Sequence, residues 1–306
     1  MPEASVHPAI QSELISPIPH HHQSNNNNNT TTMDSLNFPT EDRTFLEPHL
    51  PPKDGNPSSS SLPFTTLTFA TSLDSQLALA PGTRTVLSGP QSKAMTHYLR
   101  SRHDAILIGV GTAVADNPGL NCRLAGVGGY GSEGLAGQPR PIIIDPSARW
   151  EFTAQSKIFE LARNGRGRAP FIVTAAEAVP SAAQKEVLES HGGKFIALPM
   201  GVGSDGAHRI DWSALLKCLV REGLKSVMIE GGGSIINSFL EPGCQSLVDS
   251  VIVTIAPTWL GQGGVVVSPK RRVEGGVIVP ASRLTGVKWY PFGEDVVLCG
   301  RIKGSE

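Results

Sequence analysis

The run DAILIGV, residues 104–110, carries no polar side chain after its aspartate. A strand with one wet face alternates polar with apolar, so a run without alternation has to be covered on both sides. Helices packed on both faces of a parallel sheet meet that condition, and this stretch therefore points to a three-layer α/β fold. The order of the surrounding segments agrees. PFTTLTFATS (63–72) reads as a strand, and SKAMTHYLRSRH (92–103) as a helix with Ala94, Met95, Tyr98 and Leu99 on one face. A glycine-rich stretch, Gly126 to Gly137, interrupts the pattern. RPIIIDP (140–146), APFIVTA (169–175) and KFIALP (194–199) read as strands. SAAQKEVLESHGG (181–193) is a helix stopped by glycine, and DWSALLKCLVREG (211–223) one that starts on Asp211 as N-cap and ends at Gly223. After KSVMIE come LVDSVIVTIAP and a final pair, GVKWYPF and EDVVLCGRI, joined at Gly293 closely enough for a hairpin. The predicted sheet is mixed and mostly parallel, with a C-terminal antiparallel hairpin.

Ligands of such sheets gather beyond the carboxyl ends of the parallel strands, which singles out the segments from Gly109, Asp145 and Glu230 onward. In VMIEGGGSIINSFLE (227–241) a strand, a carboxylate, three glycines and a short amphipathic helix follow one another directly. Glycine lets a ligand approach the main chain, and a helix N-terminus offers unpaired N–H groups, so phosphate is one guest for Gly231, Gly232 and Gly233. A tight strand-to-helix turn is the other explanation, since neither the P-loop spacing nor G-x-G-x-x-G is present. In GVGTAVADNPGLNCR (109–123), Thr112 and Asp116 stand four apart and share a face if the segment makes a helical turn. Asp116 and Asn117 equally suit the capping of a turn before Pro118.

Residues 1–60 differ in texture, with His20–His22, Asn25–Asn29, Thr30–Thr32 and Ser58–Ser61 as runs of one residue type. So little apolar surface predicts a disordered low-complexity tail, and Met33 marks off a first part that is dispensable. Residues 61–306 are then a single domain. The three histidines are assigned no metal. A formal net charge of −1 gives no basic footprint for nucleic acid, and no apolar run has the length of a membrane span, so the expected partners are small molecules. Cys122, Cys218, Cys244 and Cys299 are irregularly spaced without C-x-x-C, and read as reduced thiols. Met1 to Glu13 lacks the basic and apolar regions of a signal peptide, and a cytoplasmic location is expected.

Taken together and in order, FATSLDSQLA, Arg100 within YLRSRHDAILIGVGTAVADNPGLNCR, RPIIIDP, IEGGGSIINSFL and IAPTWLGQGG resemble the riboflavin-pathway pyrimidine reductases. The resemblance runs from about Phe64 to Ile302. It implies a dihydrofolate-reductase-like fold, NADPH as cofactor and a homodimer. It implies that Thr112 and Asp116 contact the nicotinamide cofactor, that Gly231, Gly232, Gly233, Ser234, Ile235 and Asn237 form its phosphate turn, and that Ser147 is a further cofactor contact. Arg100, Leu120 and Arg123 match positions that hold a phosphorylated substrate. Glu230 matches a substrate-contacting carboxylate and, with Asp74, is the acid expected to serve catalysis. The family's usual S-L-D-G is here Ser72, Leu73, Asp74, Ser75, which keeps the acid and loses the glycine. The H-x-E and P-C-x-x-C of a zinc deaminase, which the bifunctional bacterial relatives carry, do not occur.

The reaction so implied is reduction of a ribosylamine to a ribitylamine, by hydride transfer to C1′ of the ring-opened Schiff base. It calls for positioning, two sets of phosphate contacts and a proton source, and for no enzyme nucleophile or metal. A pterin reductase of the dihydrofolate-reductase type, and a nucleotide-binding regulatory module without turnover, are the alternatives.

Overall fold

Two separate apolar cores divide the 104–110 run between them. In the computed structural model, which describes residues 35–53, 61–202, 208–271, 273–278 and 281–302, Ile106 and Ile108 pack with Ile143, Phe159 and Leu188, while Leu107 packs with Ile142, Leu216 and Phe239. Successive side chains of a strand point to opposite faces, so a strand between two cores has no position for a polar residue.

The main sheet has nine strands: β1 (Phe64–Thr71), β2 (Ala105–Gly109), β3 (Arg140–Ile144), β4 (Phe171–Ala175), β5 (Lys194–Leu198), β6 (Ser226–Gly231), β7 (Ser250–Ile255), β8 (Leu284–Phe292) and β9 (Asp295–Ile302). In space their order is β8, β9, β7, β1, β6, β2, β3, β4, β5. Neighbours from β7 to β5 are parallel, and β9 is antiparallel to both β7 and β8. The hairpin turn is Gly293–Glu294, with Gly293 at φ 63° and Phe292 opposite Asp295. This is the mostly parallel mixed sheet with a C-terminal antiparallel hairpin that the sequence predicts.

The α-helices are α1 (Pro90–Ser101), α2 (Val110–Asp116), α3 (Lys157–Arg163), α4 (Ala182–Ser190), α5 (Trp212–Arg221) and α6 (Gly233–Leu240). Leucines of α5 and the Ile235, Ile236 and Phe239 stripe of α6 cover one face, and α1, α3 and α4 cover the other. Asp211 caps α5 by accepting from the Ala214 N–H at 3.0 Å, as its position predicts. Chain order and space order part company at β6, which inserts between β1 and β2. The ends of β1, β6, β2 and β3 therefore stand side by side, and the segments after Thr71, Glu230, Gly109 and Ile144 share one rim.

The tail expected to reach residue 60 is shorter than that. Residues 35–53 are part of the fold: Phe38, Leu46 and Leu50 are buried with Met95, Tyr98 and Leu99 of α1 and with Phe292 and Val297 of the hairpin. Phe45 stacks on Tyr290 at 4.0 Å between centroids. Glu47 accepts from Arg102 Nη1 at 2.7 and 2.8 Å and from the Tyr98 hydroxyl. Their burial contributes about 1.5–3 kcal/mol per large side chain, enough to order a short segment that averages as polar. The runs at 20–22, 25–29 and 30–32, together with Met33 and Ser58 to Ser60, lie outside the described residues. Among the described residues no helix is long and apolar enough to cross a membrane, and no cluster of His, Cys, Asp and Glu is placed to hold a metal ion.

Candidate active site

Glu230 ends the apolar run of β6, and its carboxylate meets Arg100 from the last turn of α1. Arg100 Nε donates to Oε2 at 3.0 Å and Nη2 to Oε1 at 2.6 Å, while Nη1 donates to the Asn121 carbonyl at 3.1 Å. Three of the five guanidinium N–H groups are thus committed, and the arginine is held flat against the segment that follows α2.

The glycine turn faces α2. Gly232 donates its N–H to Thr112 Oγ1 at 3.2 Å, and a Cβ at Gly232 would stand 2.9 Å from the same oxygen. Thr112 and Asp116 lie one helical turn apart on α2, so the shared face foreseen in the sequence exists. The capping falls instead to Asn117, which takes the left-handed conformation at φ 40° and accepts from the Lys157 N–H at 3.2 Å. Burial pushes the Asp116 carboxyl up, opposed by the charge of Arg84.

A Cβ added at Gly231 or Gly111 would meet nothing within 4 Å. Open space therefore lies against the main chain on both sides of the Thr112 contact. The N–H groups of Gly233 and Ser234, at the start of α6, find no acceptor among the described residues. Exposed amides, open space and an adjacent hydroxyl fit the phosphates of a dinucleotide. Gly233 has a packing reason as well, since its Cβ would come within 2.4 Å of Val265 Cγ1.

Other residues expected at the site serve it differently. Ile235 is buried in the core beside Gly109, and its N–H donates to the Gly232 carbonyl. Asn237 uses both ends of its amide on the 265–268 segment, donating to Val266 O at 3.0 Å and accepting from the Ser268 N–H at 2.8 Å. Asp74 accepts from the Ser72 hydroxyl at 2.5 Å and from the N–H groups of Leu260 and Gly261 at 3.1 and 2.7 Å. These bonds, the Ser72 one foremost, hold its carboxyl below the usual range. Its visible work is to anchor the loop after β7. Ser75, where the family has glycine, adopts φ 61°, the left-handed region in which glycine alone is unstrained. Ser147 stands exposed beyond β3, in a turn closed by Asp145, which accepts from the N–H groups of Arg149 and Trp150 at 3.1 and 2.8 Å.

Leu120 turns its side chain into the core at φ 49° and hands the chain on to Asn121. Asn121 was not singled out in the sequence, yet it joins three parts of the site wall. Its carbonyl holds Arg100, and its amide donates to the Tyr130 hydroxyl at 2.8 Å and to the Arg166 carbonyl at 2.9 Å. Gln138, buried, grips Cys122 from both sides, accepting from its N–H at 2.9 Å and donating to its carbonyl at 2.7 Å. His97 Nδ1 accepts the Arg123 N–H at 3.0 Å, so Nε2 carries the proton of the neutral ring. Burial, then the charges of Arg100 and Arg123, drives its pKa down to about 2. The sign of Asn121 and His97 in the sequence is proximity to Arg123 and Arg100, and Gln138, fifteen residues beyond Arg123, carries none.

A family model, the RibD C-terminal domain, matches residues 63–298. The 2,5-diamino-6-ribosylamino-4(3H)-pyrimidinone 5′-phosphate reductase of Debaryomyces hansenii is 41% identical over 260 residues, 85% of this chain and 96% of that protein. The reductase of the same name from Saccharomyces cerevisiae is 39% identical over 259 residues, 84% of this chain and 94% of that protein. Among solved structures, the riboflavin biosynthesis reductase of Saccharomyces cerevisiae superposes with a TM-score of 0.66 at 34% identity, covering 85% of this chain and 99% of that one. RibD of Acinetobacter baumannii, at 23% identity and a TM-score of 0.61, covers 80% of this chain and 59% of that one and shares the fold. The fold is dihydrofolate-reductase-like, and the chain belongs to the RibD C-terminal domain family of riboflavin-pathway reductases.

Proposed function

We propose that this protein reduces 2,5-diamino-6-ribosylamino-4(3H)-pyrimidinone 5′-phosphate to its ribitylamino counterpart with NADPH. The observation that carries the reading is the rim formed by β1, β6 and β2, where the Arg100–Glu230 pair adjoins a glycine turn with unpaired amides, in a chain 41% identical to a reductase of that name. When bound, NADPH supplies the hydride for C1′ of the Schiff base formed by opening of the ribosylamine ring.

Thr112, Asp116 and the amides of Gly233 and Ser234 hold the cofactor, the amides matching its phosphates. Arg100 and Arg123 take the substrate 5′-phosphate through planar forks suited to bidentate contact. His97 stays neutral beneath them and fixes the Arg123 main chain, so it adds no cation that would bind phosphate out of place. Glu230 orients Arg100 and meets the polar edge of the substrate. Asp74 holds the 258–261 loop beside that edge.

An NADPH-oxidation assay tests the reading. Absorbance should fall with the phosphorylated ribosylaminopyrimidine and much more slowly once its 5′-phosphate is removed or when NADH replaces NADPH. Turnover of dihydrofolate instead makes the protein a pterin reductase, and NADPH binding without oxidation makes it a regulatory module.

A homodimer is part of the proposal. β8 is an edge strand that leaves Trp289 60% exposed and Val287 38% exposed, an apolar edge of the kind a second sheet covers. Trp289→Asp should then shift the protein from dimer to monomer in sedimentation.

A further inference from the structure

The opposite end of the sheet, where β2, β3 and β4 begin, carries a cavity of about 400 Å³. Arg140, the first residue of β3, and Arg168, just ahead of β4, both line it. Main-chain carbonyls fix each guanidinium from behind. Arg140 Nη1 donates to Ala169 O at 2.7 Å and to Gly192 O at 3.2 Å, and its plane lies over the Phe171 ring with Cζ 4.5 Å from the centroid. Arg168 donates from Nε to Gln138 O at 2.8 Å and from Nη2 to Leu135 O at 3.3 Å. Nε and Nη2 of Arg140 and Nη1 of Arg168 find no acceptor among the described residues, and neither arginine has an ion pair there.

Neither acid on the cavity wall makes an ion pair with these two arginines. Glu222 binds the Lys194 ammonium, and Asp104 Oδ2 accepts from the N–H groups of Lys225 and Ser226 at 2.8 and 3.1 Å and from Ser226 Oγ at 3.2 Å. The remaining arginine, Arg102, is tied to Glu47. Two cations are thus left close together, and burial followed by the charge of Arg168 lowers the Arg140 pKa to about 10. Carbonyl bonds alone leave that repulsion standing, whereas a dianion between the two forks removes it.

We propose that this cavity is a second anion site, which takes the phosphate group of a small phosphate monoester. Its volume falls within the usual range for small-molecule pockets, with room for more than the phosphate itself. The cavity lies at the amino ends of the strands and the glycine turn at their carboxyl ends, about 16 Å apart for a five-residue strand. Ser101, Arg102 and His103 line it directly after Arg100, so the last turn of α1 touches both ends of the molecule.

Calorimetric titration of the full chain, saturated with NADPH, against inorganic phosphate and glycerol 3-phosphate tests the proposal. Arg168→Gln should weaken one class of binding at least about tenfold, and Arg123→Gln at the catalytic end should leave that class intact. Ala136→Glu places a carboxylate on the cavity wall while keeping both arginines and their carbonyl bonds. It should abolish the same binding without lowering the melting temperature, and it decides the matter if Arg168→Gln fails to fold. The monoester should bind at least as tightly as inorganic phosphate. The proposal is overturned if Ala136→Glu binds as the wild type does, if Arg123→Gln removes all phosphate binding, or if the monoester does not bind.

Discussion

Arg100 and Glu230, 130 positions apart in the chain, meet in a two-pronged ion pair whose shorter contact is 2.6 Å. Side-chain exposures of 13% and 24% leave the pair mostly buried but still in reach of solvent, at a place where an incoming phosphate would find the guanidinium already oriented. Glu230→Gln keeps the volume and removes the charge. We expect kcat/KM for the pyrimidine substrate to fall by about tenfold or more, ~1.4 kcal/mol, with NADPH affinity unchanged. An unaltered kcat/KM would reduce the pair to a structural tie.

Gly232 separates a phosphate cradle from a mere turn. Its φ of −29° is negative, so alanine there meets no left-handed strain, and the added Cβ meets one atom, Thr112 Oγ1 at 2.9 Å, whose bond from the Gly232 N–H has to give slightly. Gly232→Ala should therefore melt close to the wild type and weaken NADPH by about tenfold. Ser238→Ala, which removes only a bond to the Ser234 carbonyl, serves as control. Lower melting with intrinsic affinity intact would mean that the glycines shape a turn and the phosphates lie elsewhere.

Ser75 carries the opposite expectation. At φ 61° a side chain costs about 1 kcal/mol that glycine avoids, less what the freer unfolded chain gives back. Ser75→Gly should raise stability in denaturant titration by about 0.5 kcal/mol and leave the kinetics alone. Destabilisation would show that the serine hydroxyl contributes more than its backbone costs.

Leu46 is fully buried between α1 and the hairpin. Leu46→Ala should cost about 2–5 kcal/mol, the usual range for a truncated core leucine. Deletion of residues 1–32, which hold the polar runs, should leave melting and turnover unchanged, whereas deletion of 1–53 should impair both. Equal melting for the two truncations would contradict the packing described above.

His103 makes stability depend on pH. Its Nδ1 bonds the Leu99 carbonyl at 2.7 Å, so that nitrogen carries the proton, and Nε2 accepts from Thr66 Oγ1 at 2.8 Å. Burial lowers its pKa to about 4. Below the unfolded value of about 6.5 the unfolded chain binds a proton that the folded ring refuses, so stability falls with pH from there until the folded ring titrates near 4. The slope is at most about 1.4 kcal/mol per pH unit for this one group. The difference in melting between pH 7 and pH 5 should be smaller in His103→Gln than in the wild type. Equal differences would remove His103 as the source.

Three of the four rim segments were legible because each follows an uninterrupted apolar strand, and such strands end where ligands collect. That Thr112 and Asp116 share one helical face was legible by spacing. Asn237 was not, since what its amide does depends on Val266 and Ser268, some thirty residues on. Helix α3 escaped notice because seven residues are too few to display a period, although Ile158 and Phe159 anchor it. Phe38, Leu46 and Leu50 follow no repeat at all and sit among polar residues. Only the complementary surface of α1 and the hairpin reveals them as core.

That surface has a consequence for the order of events during synthesis. Leu36 donates its N–H to the Arg123 carbonyl at 2.8 Å and accepts from the Ala125 N–H at 2.9 Å, so the strand of chain bearing Arg123 is braced by the earliest described residues. Those residues in turn rest on Phe292 and Tyr290, which leave the ribosome more than 160 residues after Arg123. The Arg123 end of the rim therefore cannot be completed until residues 290–292 have been made. It closes in one late step that joins segments far apart in the chain, and a ribosome stalled before residue 290 should carry at most the parallel part of the sheet, without a working site.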